Sequence, residues 1–149
     1  MTLAPHCDHR SADLSAAVEA AAEALVIAWG RAREALQQPV SGSQLRALLV
    51  IDQAGEINLN GLAEELGAIP SSASRLCDRL QAAGLLTRSA GRTDRREVVL
   101  SLTVDGRNLL RTMRTTRRAD IARVLAAMPA EDQAALLAGL QAFGAAAER

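Results

Sequence analysis

The sequence predicts a mainly α fold carrying one small β-hairpin. Three observations predict it. Ala and Leu, both strong helix formers, make up more than a third of the 149 residues. Apolar residues recur at spacings of three and four through most of the chain, which is the helical period. The period changes to strand-like runs only between residues 85 and 102, around a polar loop that contains Gly91.

The first helix is expected over residues 12–37. Ser11 suits its N-cap, Gln37-Gln38-Pro39 ends it, and Leu14, Val18, Ala21, Leu25, Ala28, Ala32 and Leu36 form one stripe. A second helix is expected over 42–54, where Ser41 and Gln44 make a capping box and Gly55 follows as a C-cap. A third, over 59–66, is capped by Asn58 and closed by Gly67. Pro70 suits the first turn of a fourth helix, 70–83, which Gly84 ends. A gap of three to five residues between the third and fourth gives helix-turn-helix spacing. Strands follow at 85–88 and 97–102, joined by a hairpin loop over 89–96. Thr103 caps a long helix to Met128, and Pro129-Ala130-Glu131 opens a last helix over 130–146. The plan is a winged helix-turn-helix with helical extensions. It divides into a flexible tail (1–10), a winged helix-turn-helix region with its linking helix (41–118), and N- and C-terminal dimerisation helices (11–40 and 119–149).

Composition narrows the function. The length suits one compact domain, with 49% hydrophobic residues to supply a core. No apolar run approaches the ~20 residues of a membrane helix and no signal peptide opens the chain, so a cytoplasmic protein is expected. Trp29 and Phe143 are the only aromatic residues, which excludes the base-stacking platforms of single-strand binders. Two cysteines, Cys7 and Cys77, make neither a disulfide framework nor a four-cysteine zinc site. An enzyme is not expected. Both histidines lie in the first ten residues, and no nucleophile triad, phosphate-binding Gly loop, metal triad or paired acids are found. No cofactor or metal is expected.

The formal net charge is zero, but the charge is segregated. Residues 1–70 carry four Arg against nine acids, net −5. Residues 71–118 carry eleven Arg against four acids, net +7. Residues 119–149 carry two Arg against four acids, net −2. A basic block between acidic flanks is how a protein of zero net charge meets a polyanion.

The stretch from Gly67 to Leu80, with Pro70-Ser71-Ser72-Ala73-Ser74-Arg75 at its centre, resembles the recognition-helix segment of MarR-type transcriptional regulators. Gly84-Leu85-Leu86-Thr87-Arg88 after it does too. The run from Asp94 to Thr103 is similar to the family's Asp-x-Arg-x-x-x-(aliphatic)-x-Leu-Thr wing signature. The resemblance covers about residues 41–106. It implies a homodimer that binds duplex DNA, often as a ligand-relieved repressor. The sequence departs from the pattern at Ile69, where a Ser is usual; Ile has no side chain to cap the helix.

The residues themselves say which positions would meet DNA. On the fourth helix, Ala73, Leu76, Cys77 and Leu80 make the buried stripe. That leaves Ser71, Ser72, Ser74, Arg75, Asp78 and Arg79 on the other faces, where Arg can pair with guanine or phosphate and Ser with base or backbone of a major groove. The wing carries Arg92, Asp94, Arg95 and Arg96, and Arg is attracted into the minor groove. The resemblance implies that Asp94 and Arg96 brace the wing while Arg92 or Arg95 reaches the groove.

Residues outside this region carry three further expectations. Leu136, Leu137, Leu140, Phe143 and Gly144 form an apolar stripe that a second copy would cover, placing two DNA-binding units on a pseudo-palindromic operator. Arg107, Arg111, Arg114 and Arg118 form one face of the long helix, read chiefly as solvated. Arg117 falls instead on the apolar stripe of Leu110, Met113, Ile121 and Val124. It needs a partner there, either Glu19 or Glu23 or, in the sharper reading, a small acidic or aromatic effector with Trp29 nearby. The alternatives in function are a winged-helix protein–protein module, or a regulator of the same fold that senses oxidants through Cys7 or Cys77.

Overall fold

The computed structural model describes residues 7–34, 36, 39–91 and 97–147. In chain order the elements are α1 (Cys7–Glu34), α2 (Gly42–Ala54), β1 (Ile57–Asn58), α3 (Leu59–Leu66), α4 (Pro70–Ala82), β2 (Leu86–Ala90), β3 (Val98–Leu102), α5 (Val104–Leu125) and α6 (Ala130–Ala147). The backbone divides after Trp29 and after Thr115 into two compact units, the middle segment and the two flanking segments.

The middle unit is a winged helix-turn-helix. Its local signals act as expected. Ser41 accepts from the Gln44 backbone N–H while the Gln44 side chain accepts from Ser41 N–H, completing the capping box of α2. Asn58 Oδ1 accepts from Gly61 N–H at 2.8 Å and starts α3. Gly67 ends α3 at φ 61°, the left-handed conformation in which a Cβ is strained. Ile69 gives α4 no side-chain cap; its carbonyl accepts from the Ser72 and Ala73 N–H groups instead. Thr103 Oγ1 accepts from Gly106 N–H at 3.0 Å and donates to Gly84 O at 2.6 Å, tying the start of α5 to the turn after α4. Gly106 is required there, because a Cβ would collide with the Leu85 carbonyl.

The sheet has three antiparallel strands in the order β1-β3-β2, not the two of a lone hairpin. β2 pairs Leu86 with Leu102 and Arg88 with Leu100; on the other edge Ile57 pairs with Leu100 and Asn58 with Val99. β1 escapes a pattern search because two residues carry no alternation, and Asn58 reads as a cap. It is both.

The core of this unit collects Leu48 and Ile51 of α2, Leu62 of α3, Cys77 and Leu80 of α4, Leu100 of β3, and Leu110 and Met113 of α5. Ala73 and Cys77 are buried and Leu76 half-buried, so the expected inner face of α4 is the observed one.

The flanking unit contains α1, the second half of α5, and α6. α1 begins at Cys7, so Cys7–Arg10, expected in a tail, are helical. Its end at Glu34 is earlier than the expected residue 37, and Gln37 and Gln38 lie outside the described residues. α5 stops at Leu125, three residues short of Met128; Leu125 O accepts from Met128 N–H, and the Gln133 side chain donates to Leu125 O and Met128 O. No residue of α6 is buried, although its composition is strongly apolar. Leu14, Val26, Leu137 and Leu140 are exposed, and Phe143 is 68% exposed. Two apolar grooves run through this unit. One is lined by Leu25, Ile121, Leu125 and Leu136, and a larger one of about 460 Å³ by Val18, Leu25, Leu136, Leu140 and Phe143.

Candidate nucleic-acid interface

α4 turns Ser71, Ser72, Arg75 and Arg79 to solvent, with Ser74 half-buried beside them. This is the division between faces that the helical period predicts. An open groove of about 560 Å³ runs along it, and α2 supplies the other wall. Ser72, Arg75 and Arg79 line the groove from α4; Ser43 and Arg46 line it from α2. Three guanidinium groups thus border one concave surface with no carboxylate in its lining. Arg46, which lies in the acidic segment 1–70, escapes a reading by charge blocks. The fold alone brings it beside Arg75. Its Nη2 also donates to Glu65 O at 3.4 Å.

Asp78, an acid on the same helix, is held by Arg88 of β2 at 2.8 Å. Arg88 also donates to Gln81 Oε1 at 3.1 Å and to Ser74 O at 3.5 Å. The signal that could have found Arg88 is alternation. Leu86 and Arg88 share a side of β2, Leu86 is buried, and a charge on that side needs a partner. Arg92, Asp94, Arg95 and Arg96 lie outside the described residues. The strands that carry them meet at the loop base, where Gly91 N–H donates to Glu97 O at 2.8 Å.

Arg107, Arg111, Arg114 and Arg118 are all exposed, as expected for a solvated face, and three of them also bond to protein. Arg107 donates to Leu102 O at 2.7 Å and Arg111 to Asn108 Oδ1 at 2.8 Å. Arg114 pairs with Asp52 of α2 at 2.9 Å. Part of the basic block is therefore spent on internal contacts. Arg118 is exposed.

In the flanking unit the guanidinium of Arg117 lies over the Trp29 ring, 4.3 Å from its centroid. The two residues singled out for an effector are in contact. Trp29 is 47% exposed and so is not a core residue; stacking with an Arg at a partly exposed site contributes about 0.5–1 kcal/mol. Cys77 is buried, and burial pushes its thiol up from the ordinary value, with Arg88 pulling partly back. It is a protonated packing residue at neutral pH, which disfavours it as an oxidant sensor. The Cys7 side chain lies outside the description. Among the described residues no cluster of His, Cys, Asp and Glu is arranged to hold a metal ion. No helix among them is long and apolar enough to cross a membrane.

Known proteins show which family the fold belongs to. The MarR family model matches residues 38–97, from four residues before α2 to the residue before β3. A solved structure from Mycobacterium tuberculosis, RV1404, is 32% identical, with 98% of this chain and 97% of that one covered at a TM-score of 0.86. The chain belongs to the MarR family. Two relatives from Bacillus subtilis agree. The uncharacterized HTH-type transcriptional regulator YfiV is 29% identical over 119 residues, 80% of this chain and 74% of that one. The HTH-type transcriptional repressor MdtR is 30% identical over 96 residues, 64% of this chain and 62% of that one. This MarR-family protein is a DNA-binding transcriptional regulator and not an enzyme. The α3–α4 pair is its helix-turn-helix, and β2 and β3 carry its wing.

Proposed function

We propose that this regulator is a homodimeric repressor that binds a pseudo-palindromic, double-stranded operator in the cytoplasm. A small acidic or aromatic effector relieves it. The observation that carries the reading is the outward face of α4. Serines stand at its start and arginines one and two turns on, above a groove bordered by three guanidinium groups. That layout suits a helix whose N-terminal part reads base edges while its flanks hold phosphate. In the same reading Asp94 and Arg96 brace the wing and Arg92 or Arg95 enters the minor groove.

Dimerisation is supported by α6, an apolar helix with no buried residue, and by the exposed apolar side chains of α1. A second copy would cover both and set two α4 helices about one DNA turn apart, ~34 Å. The repressor direction is supported by the likeness to MdtR. The effector reading is supported by the stacked Trp29–Arg117 pair, which offers an aromatic face and a cation to one acidic ring.

The test is a gel shift on the DNA upstream of the protein's own gene, with and without a panel of small aromatic acids. Retardation of that duplex over an unrelated one, reversed by a panel member, is the expected result. Equal retardation of both duplexes would refute operator recognition. A shift that no acid reverses would refute the effector class.

A further inference from the structure

A guanidinium on the inner side of β2 is an unusual placement, and its partners explain it. Arg88 reaches Ser74 O, Asp78 and Gln81, which follow one another on α4 at intervals of four and three residues. They form one stripe, lying between the buried stripe of Ala73, Cys77 and Leu80 and the outward face of Arg75 and Arg79. One strand residue therefore grips two turns of the recognition helix along its edge. Apolar contact holds α4 onto the core, but apolar contact is non-directional and leaves a helix some freedom to roll about its axis. A planar guanidinium held by a carboxylate, an amide and a carbonyl removes that freedom. Roll is the motion that would swing Arg75 and Ser71 away from base edges.

We propose that Arg88 is a positioning residue for DNA recognition, clasping α4 to the strand that carries the wing so that both dock as one rigid body. This rests on the reading of α4 as the recognition helix. Arg88 makes no DNA contact in it. The Asp78–Arg88 pair is partly exposed, so its contribution to stability is small and its effect falls on specificity.

Asp78→Asn separates this from simple electrostatics by the sign of the effect. Removing an acid from a DNA-facing helix should tighten binding to every duplex if charge alone matters. The clasp predicts the opposite for the preferred sequence. The probes are a duplex selected by the wild-type protein from a random pool and an unrelated duplex of equal length. Asp78→Asn should bind the selected duplex about tenfold more weakly at fixed salt and the unrelated one no more weakly than wild type. Arg88→Gln should lose about as much, and the double variant no more than Arg88→Gln alone. The salt slope of Arg88→Gln should stay at the wild-type value, whereas a lost phosphate contact lowers it by about one unit. Tighter or unchanged binding of the selected duplex by Asp78→Asn overturns the proposal. So do additive losses in the double variant or a reduced salt slope. Should Arg88→Gln fail to fold by thermal melting, the exposed Asp78→Asn variant decides alone. A wild-type protein that selects no sequence overturns the reading of α4 itself and the clasp with it. Selection by wild type with no loss in Asp78→Asn overturns the clasp only.

Discussion

Arg75 stands at the centre of the outward face of α4, and Arg95 belongs to the wing signature. The two should differ in how they fail. Arg75→Ala should weaken operator binding and relax sequence preference, a bidentate base contact being worth about 1–3 kcal/mol. Arg95→Ala should weaken binding to all duplexes and lower the salt slope by about one unit. Gel shifts at several salt concentrations measure both, and unchanged affinity in both variants would remove this surface from DNA. Cys77 behaves oppositely to an active-site thiol. Burial holds its pKa above the ordinary value, so the reactive thiolate is scarce at pH 7 to 8 and the sulfur is enclosed. Iodoacetamide should leave Cys77 unmodified in the native protein and label it in denaturant, as peptide mass mapping would show. Labelling in the native state would return the redox reading. At this scale the sequence was a good guide to faces and a poor one to partners. Periodicity sorted Arg75 from Cys77, but it had no means of pairing Arg88 with Asp78 or Arg114 with Asp52.

Elements were legible wherever a local signal bounded them. Ser41, Asn58, Gly67 and Thr103 each cap the helix expected, because caps satisfy backbone groups within a few residues. The third strand was not legible. Ile57 and Asn58 are a strand only because β3 lies alongside. The uncapped start of α4 yields a prediction. Ile69 is 66% exposed and contributes no cap, so Ile69→Ser removes little packing and adds a side-chain acceptor. The variant should be more stable by about 0.5–1 kcal/mol in urea denaturation. Equal or lower stability would mean that the Ile69 carbonyl already satisfies the first turn. If α4 reads DNA as proposed, the same variant should also change operator affinity, which a gel shift would measure.

At the scale of the whole molecule, α1 and α6 leave apolar side chains exposed. The middle unit has a core drawn from every one of its helices, whereas the flanking unit buries none of α6. Contiguous apolar surface of this kind marks an interface. Leu137→Asp combined with Phe143→Asp should convert a dimer to a monomer in analytical ultracentrifugation. Operator affinity should fall about a hundredfold or more, since one winged helix then binds half a site. A wild-type protein that sediments as a monomer would leave the exposure of α6 to another partner. The segregated charge also finds its meaning at this scale. The arginines behind the net +7 of residues 71–118 fall on the outward face of α4, on Arg88 of β2, in the 92–96 segment, and on α5, where Arg107, Arg111 and Arg114 also bond to protein. Arg46, from an acidic segment, joins the outward face.

By itself the sequence determined the order of the helices, the bounds of those closed by a local cap, the inner and outer faces of α4, and the family. Each of these is set by neighbours within a turn or two, or by a motif read in line. Only the tertiary structure decided the third strand, the addition of Arg46 to the groove, the grip of Arg88 on α4 and the stacking of Arg117 on Trp29. These join positions from 7 residues apart, for Arg88 and Gln81, to 88, for Arg117 and Trp29. Periodicity carries no information over such distances, because it records which way a side chain points and not what folding brings to meet it.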